Sequence, residues 1–195
     1  MTKLHLGCGK LKLPNFVNID VSSNSADLCL NMNNLYPIDN NSIMEIYCCH
    51  VLEHIRRRHL VSLLLEWNRV LKIGGLLRLS VPDFEKVIKV YLNNKDLSEI
   101  IGFLNGGQKD DFDIHFVNFD INIITLLLEA CGFENIRKYD TYLFLGDNDD
   151  YSKSYLPHMD TNGELMSLNI LCNKTKDMSN KDIQLSPQLK KYLKM

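Results

Sequence analysis

The chain has 195 residues, 45% hydrophobic and 24% charged, enough for one substantial core and too few for two comfortable domains. Lysine and arginine (22) nearly balance aspartate and glutamate (24), so the net charge of -2 supplies no basic field for nucleic acid or an anionic membrane. No apolar run approaches the length of a membrane span, and six scattered cysteines with no CxxC pair read as reduced thiols, so a cytoplasmic protein with no nucleic-acid or membrane partner is expected.

LHLGCGK (residues 4–10) reads as an apolar strand entering a glycine turn, and VNID (17–20) as a second strand ending on a carboxylate. Gly7 and Gly9 let the backbone turn tightly and let a ligand approach, and Asp20 can accept hydrogen bonds from a ribose diol. A dinucleotide site would want a third glycine, a full crossover helix and a later acid. Here Lys10 follows the second glycine, Pro14 interrupts the segment and Asp20 comes early. A ribose-bearing ligand without phosphates, S-adenosylmethionine above all, fits this spacing better.

Further strands are expected at 26–30, 43–49, 75–81, within 134–145, and at 165–172. Between the fourth and fifth strands Leu60, Leu63, Leu64, Trp67, Val70 and Leu71 recur at helical spacing, with Gly74 and Gly75 closing the segment. Strand, helix, strand in this order implies a parallel sheet with right-handed crossovers. A second helix follows VPDFE, with Asp83 as its cap and Phe84, Val87, Ile88, Tyr91 and Leu92 on one face. A third runs over about 120–131, with Ile123, Ile124, Leu127 and Leu128 inward and Gly132 at its end. The last two strands are expected to pair antiparallel. The loop 146–163, rich in Asp, Asn and Ser, lacks calcium-loop spacing and reads as a solvated connection. The domain is expected over 1–174, with substrate-side helices at about 83–117, and 175–195 as a loosely held polar tail bearing at most one helical turn.

HVLEH (50–54) also fits a zinc-hydrolase pattern, which needs both histidines on one helical face. His50 directly follows an apolar strand, so the two imidazoles are not expected to share a helix, and no metal is expected. His50 reads as a pocket residue and His54 as a packing residue. The RRR run at 56–58 reads as a solvated helix start, and Cys8 as small filler in the glycine turn. His115, after a glycine-bearing loop and before the third helix, is the catalytic candidate, as a base or a substrate contact.

LHLGCG, VNID, HVLEH, VLKIGG, VPDFE and GGQKDDFDIH (106–115) together resemble class I S-adenosylmethionine-dependent methyltransferases, more narrowly a bacterial-type group of type 11-like methyltransferases. The resemblance implies an α/β fold: a Rossmann-like, seven-stranded, mostly parallel sheet with an antiparallel last strand and helices on both faces. It implies that Gly7, Cys8 and Gly9 pass under the methionine end of S-adenosyl-L-methionine, that Asp20 holds the ribose, that Asn31 and Met32 meet the adenine, and that His50 faces the sulfonium. His5 stands where relatives carry an acid, and Asn31 where many carry Asp. The expected activity is methyl transfer to a small-molecule or glycan-precursor acceptor. The alternatives are a non-catalytic cofactor-binding protein or partner subunit and a nicotinamide-dependent oxidoreductase, which the short link from Gly9 to Asp20 opposes.

Overall fold

In the computed structural model, which describes residues 2–22, 24–156 and 163–194, the strands are β1 (Lys3–Leu6), β2 (Val17–Asp20), β3 (Leu28–Cys29), β4 (Ile43–Cys49), β5 (Leu71–Pro82), β6 (Phe133–Lys138), β7 (Tyr155–Leu156), β8 (Glu164–Leu165) and β9 (Ser167–Lys174). Seven form one sheet in the order β3-β2-β1-β4-β5-β9-β6, and β7 and β8 make a separate ribbon. β1 pairs in parallel with β2 and β4, placing Leu4 beside Val17 and Ile46, and β4 pairs in parallel with β5. β9 runs antiparallel to both β5 and β6. This is the expected Rossmann-like α/β sheet. The parallel strands β1, β2 and β4 end together, which gathers the residues after them along one carboxyl edge.

Helices α1 (Arg57–Val70), α4 (Ile121–Ala130) and α6 (Pro187–Leu193) contribute to the main core with one face of the sheet. Strand alternation sends Leu4, Leu6, Ile46, Cys48, Leu77, Leu79, Leu168 and Ile170 into that core. Asp120 caps α4 by accepting from the Ile123 N–H (2.7 Å), and Gly132, at φ +84, closes it. The opposite face carries His5, Tyr47, Cys49, Arg78, Ser80 and Asn169. A thinner cover of the loop 11–16 and the short α5 (Thr141–Leu145) meets Tyr47 there through Leu13 and Leu145.

α1 stops at Val70, four residues before Gly74. The chain turns extended at Leu71, and the carbonyls at the helix end are taken by other groups. The fully buried Lys174 ammonium donates to the carbonyls of Asn68 (2.6 Å) and Leu71 (2.8 Å), and the Ser42 N–H to that of Val70 (3.0 Å). A cation at a helix C-terminus also complements its dipole. Gly74 instead shapes the irregular start of β5, where pairing with β4 jumps from Leu71 to Leu76.

α2 (Phe84–Asn94) is capped by Asp83 as expected, its carboxylate accepting from the Glu85 N–H (3.1 Å). Of its expected face only Val87 is buried. Val87 and Val90 pack with Ile100 and Met166, while Phe84, Ile88, Tyr91 and Leu92 stay exposed. The helix leans on α3 (Ile101–Asn105) and β8 rather than on the sheet, and that narrow contact takes only one turn-to-turn stripe.

The C-terminal stretch is docked rather than loose. Ser186 caps α6, and Leu189 and Leu193 are buried in the main core. The loop after 146 is not simply solvated either. Ser152 is fully buried, and Asp150 accepts from the Tyr47 hydroxyl (2.5 Å), tying the loop to the polar face of β4. Residues 157–162 of that loop lie outside the described residues.

Candidate active site

The glycine turn opens at the end of β1. Gly7 sits at φ +67, and a Cβ there would lie 2.4 Å from Val51 Cγ2, so only glycine lets the turn pass under the residues after β4. The Gly7 and Cys8 N–H groups both donate to the Ile19 carbonyl at the end of β2 (2.9 and 3.1 Å). Asp20 accepts from the Gly9 N–H (2.9 Å) and the Ser22 N–H (2.9 Å), which fixes its carboxylate beside the turn. Burial, with Asp20 and Asp27 nearby, pushes the Cys8 thiol up to about 11, so it stays protonated and serves as filler.

Three cavities meet along this carboxyl edge. One of about 340 Å³ is lined by Gly7, Asp20, Asn31, Met32, His50 and His54, among others. A second, of about 460 Å³, takes in Gly7, Cys8, Gly9 and His50 with Asp150 and Tyr151. A third, of about 510 Å³, has His50, His54, Lys109, Asp113, His115 and Tyr151 in its wall. His50 borders all three and Gly7 the first two, so the seven expected cofactor residues border two adjoining cavities and His115 the third. Asn31 Oδ1 accepts from the Asn33 N–H (2.9 Å), closing the turn after β3. The Trp67 indole donates to the Met32 carbonyl (3.2 Å) and holds the next backbone group.

The Gly7 cradle, the acid fixed at the end of β2 and the cavities on both sides of His50 fit an adenosine joined to an amino-acid tail. No helix forms in residues 10–16, so the structure offers no helix N-terminus there for a pyrophosphate.

His50, just past β4, has a left-handed backbone (φ 52) that turns its ring into the cavities. The Ser167 hydroxyl donates to the Tyr151 carbonyl (2.5 Å) and therefore accepts from His50 Nε2 (2.8 Å). His50 Nδ1 lies 3.0 Å from Glu53 Oε1. Glu53 is fully buried, and neither of its oxygens accepts a hydrogen bond among the described residues. Burial works against its charged form, but the facing His50, aided by His54, outweighs that and holds the carboxyl below its ordinary value.

His54 and His115 meet edge to face, with ring centroids 4.7 Å apart. His54 Nδ1 is 3.1 Å from the Ile114 carbonyl and His115 Nδ1 is 2.9 Å from the Phe103 carbonyl. A carbonyl only accepts, so each Nδ1 carries a hydrogen, which makes Nε2 the nitrogen with the lone pair in the neutral ring. Burial lowers the His115 pKa against the opposing pull of Glu53, which keeps that imidazole neutral at pH 7. Gly106, at φ +77, lets Asp113 fold back, since a Cβ there would lie 2.4 Å from the Asp113 carbonyl oxygen. The Phe116 N–H then donates to the Glu53 carbonyl (2.7 Å), setting His115 against the turn after β4.

HVLEH does not form a helical zinc motif: Leu52–His54 is a single 3-10 turn, and His50 lies outside it. Reasoning from sequence passed over Glu53 as a site group, His54 as a cavity residue, and Asp150 and Tyr151. A Glu between two histidines, directly after an apolar strand, was the signal for the first. For the loop residues no local signal existed, because their position depends on Tyr47, more than 100 residues earlier.

A family model described as a methyltransferase domain matches residues 4–79. Among solved structures, an S-adenosylmethionine-dependent methyltransferase from Methanosarcina mazei aligns with a TM-score of 0.58 at 16% identity, covering 89% of this chain and 92% of that one. One from Archaeoglobus fulgidus aligns with a TM-score of 0.56 at 13% identity, covering 89% and 86%. A complex of a methyltransferase with its activator from Haloferax volcanii gives 0.55 at 13%, covering 92% and 84%. At these identities the likeness establishes the fold. No curated protein matches the chain.

Proposed function

We propose that the chain is a class I S-adenosylmethionine-dependent methyltransferase and that it methylates a small polar acceptor, a small molecule or glycan precursor, bound in the cavity between His50, His54 and His115. The observation that carries this reading is His50, whose ring borders the two cofactor-side cavities and the third one alike. S-adenosylmethionine, when bound, supplies an electrophilic methyl group on its sulfonium sulfur. Asp20 is the group to hold the ribose, with Asn31 and Met32 at the adenine side. The Gly7, Cys8 and Gly9 turn would hold the methionine end, and His50 would face the sulfonium region.

The third cavity sets Ser98, Glu99, Lys109, Asp113 and the histidines beside Ile101, Phe103 and Leu156, so its wall offers hydrogen-bonding groups to a hydroxylated acceptor along with apolar surface. Positioning and exclusion of water supply most of the acceleration in such a reaction. Where the acceptor is a hydroxyl, the lone pair on His115 Nε2 takes its proton, and the Nδ1 bond to the Phe103 carbonyl fixes that tautomer.

The test is calorimetry with S-adenosylhomocysteine and NAD, followed by a transfer screen with methyl-labelled cofactor over sugar and small-molecule acceptors. S-adenosylhomocysteine binding, no NAD binding and label transfer to a hydroxylated acceptor are expected. Asp20→Ala should weaken S-adenosylhomocysteine by about 1.5–3 kcal/mol through loss of charge-assisted hydrogen bonds. Binding without turnover on any acceptor would point to a non-catalytic cofactor-binding subunit, and NAD binding to an oxidoreductase.

A further inference from the structure

Behind the third cavity, a nitrogen of His54, a nitrogen of His115 and a carboxylate oxygen of Glu53 all lie within 4.8 Å of one another. We propose that these three residues form a binding site for a first-row divalent metal ion of the zinc class, open toward the acceptor cavity.

Three independent features support it. The first is the donor set, two imidazoles and one carboxylate, which is a tridentate nitrogen and oxygen group that leaves positions free for an outside ligand. The second is the orientation of the rings. Both histidines commit Nδ1 to a backbone carbonyl, the arrangement by which metal-ligating histidines fix their tautomer and present Nε2. The third is Glu53. A fully buried carboxylate is costly to keep: His50 Nδ1 faces its Oε1 at 3.0 Å, and its Oε2 has no hydrogen-bond partner among the described residues. A cation bridging the carboxylate to the two rings satisfies it.

Tetrahedral coordination at metal–ligand distances near 2.0–2.1 Å puts ligand atoms about 3.3 Å apart. The three atoms, within 4.8 Å of one another, therefore close by up to about 1.5 Å to reach that spacing. His50, on the other side of Glu53, is placed to orient the carboxylate rather than to ligate. The site's role in turnover rests on the function proposed above: the ion binds an acceptor oxygen and lowers its pKa, and the proton goes to solvent. In the loaded protein His115 Nε2 is a ligand, so the proton leaves to solvent instead of passing to that nitrogen.

The experiment uses full-length protein stripped with a chelator and dialysed. It is titrated with Co²⁺, followed by visible absorption, then with Zn²⁺ in competition; S-adenosylhomocysteine affinity is measured in parallel. One equivalent of Co²⁺ with a nitrogen-ligand absorption band, displaced by Zn²⁺, is expected. His115→Ala and His54→Gln should each weaken Co²⁺ by more than the roughly 10–100-fold lost when only an outer-shell partner is removed. His59→Ala, which alters an exposed histidine on α1, should leave it unchanged. Glu53→Gln is a third ligand variant, read only if circular dichroism shows it folded. Failure to bind Co²⁺, or equal binding by wild type and both histidine variants, overturns the metal site. Intact S-adenosylhomocysteine binding in that case leaves the methyltransferase reading standing, and its loss with Co²⁺ binding retained does the reverse.

Discussion

The two faces of the sheet are built on different physics. One is covered by α1, α4 and α6 and is apolar from Leu4 to Cys172, so its contribution is burial of hydrocarbon. The other is lined by groups that need partners. Glu45 receives Lys3 (2.8 Å) and Arg78 (2.6 Å), and Ser80 donates to Asn169 (2.6 Å). His5 Nδ1 meets Asn18 Oδ1 (3.0 Å), and Tyr47 reaches Asp150. The first face decides whether the chain folds. The second holds the loop 146–156 over the cavity at the methionine side, so part of the site hangs on polar contacts that contribute little net stability and much geometry.

Substitutions on each face sharpen this contrast. Leu127→Ala, in the fully buried centre of α4, should cost about 2–5 kcal/mol of unfolding free energy in urea titration, with S-adenosylhomocysteine affinity unchanged in the folded fraction. A large loss of affinity would mean that the apolar face also shapes the site. At the seam between the faces, Gly7→Ala adds about 1–2 kcal/mol for a left-handed backbone and about 1–3 kcal/mol for the clash with Val51. It should weaken S-adenosylhomocysteine as well as stability, and an unaltered protein would show that the turn yields easily.

Tyr47→Phe keeps the ring and removes the hydroxyl that Asp150 accepts from. About 1.5 kcal/mol or less of stability should go, while proteolysis in the loop 146–156 rises and cofactor-product affinity falls. An undisturbed loop would assign its position to Ser152 and Asn169 instead.

The smallest effect is a pH slope from His5. Burial lowers its pKa from 6.5, opposed by the bond to Asn18 and the nearby Asp150 and Asp20. The unfolded chain then binds more protons just below 6.5, so stability falls as pH drops from there toward the folded value. Urea midpoints at about pH 7.5 and about pH 5.5 should differ more for wild type than for His5→Asn. Equal differences would exclude His5 as a source of the slope.

The sequence could be read where structure is local. The strand and turn around Gly7 and Gly9, the acid at Asp20, the stripe Leu60–Leu64–Trp67 and the caps Asp83 and Asp120 all depend on neighbours within a few residues, so spacing carries them. The strand entering the glycine turn and the strand at 43–49 stand where the sequence placed them. The face of α2 was legible only at Val87, because Phe84, Ile88 and Tyr91 keep helical periodicity whichever side is covered, and its docking on α3 and β8 buries Val90 in their place. The end of α1 was misread because Lys174, over 100 residues later, takes its last carbonyls.

By itself, then, the chain's order of residues determined a parallel sheet, its central helix and a glycine turn with a carboxylate beside it, since each rests on backbone geometry and short-range periodicity. Tertiary structure alone decided that Glu53 is fully buried against His50, that His54 faces His115, and that Asp150 and Tyr151 line the opening. Those placements join segments 60 to 117 residues apart, and no local preference encodes which distant group satisfies a buried charge or an open carbonyl.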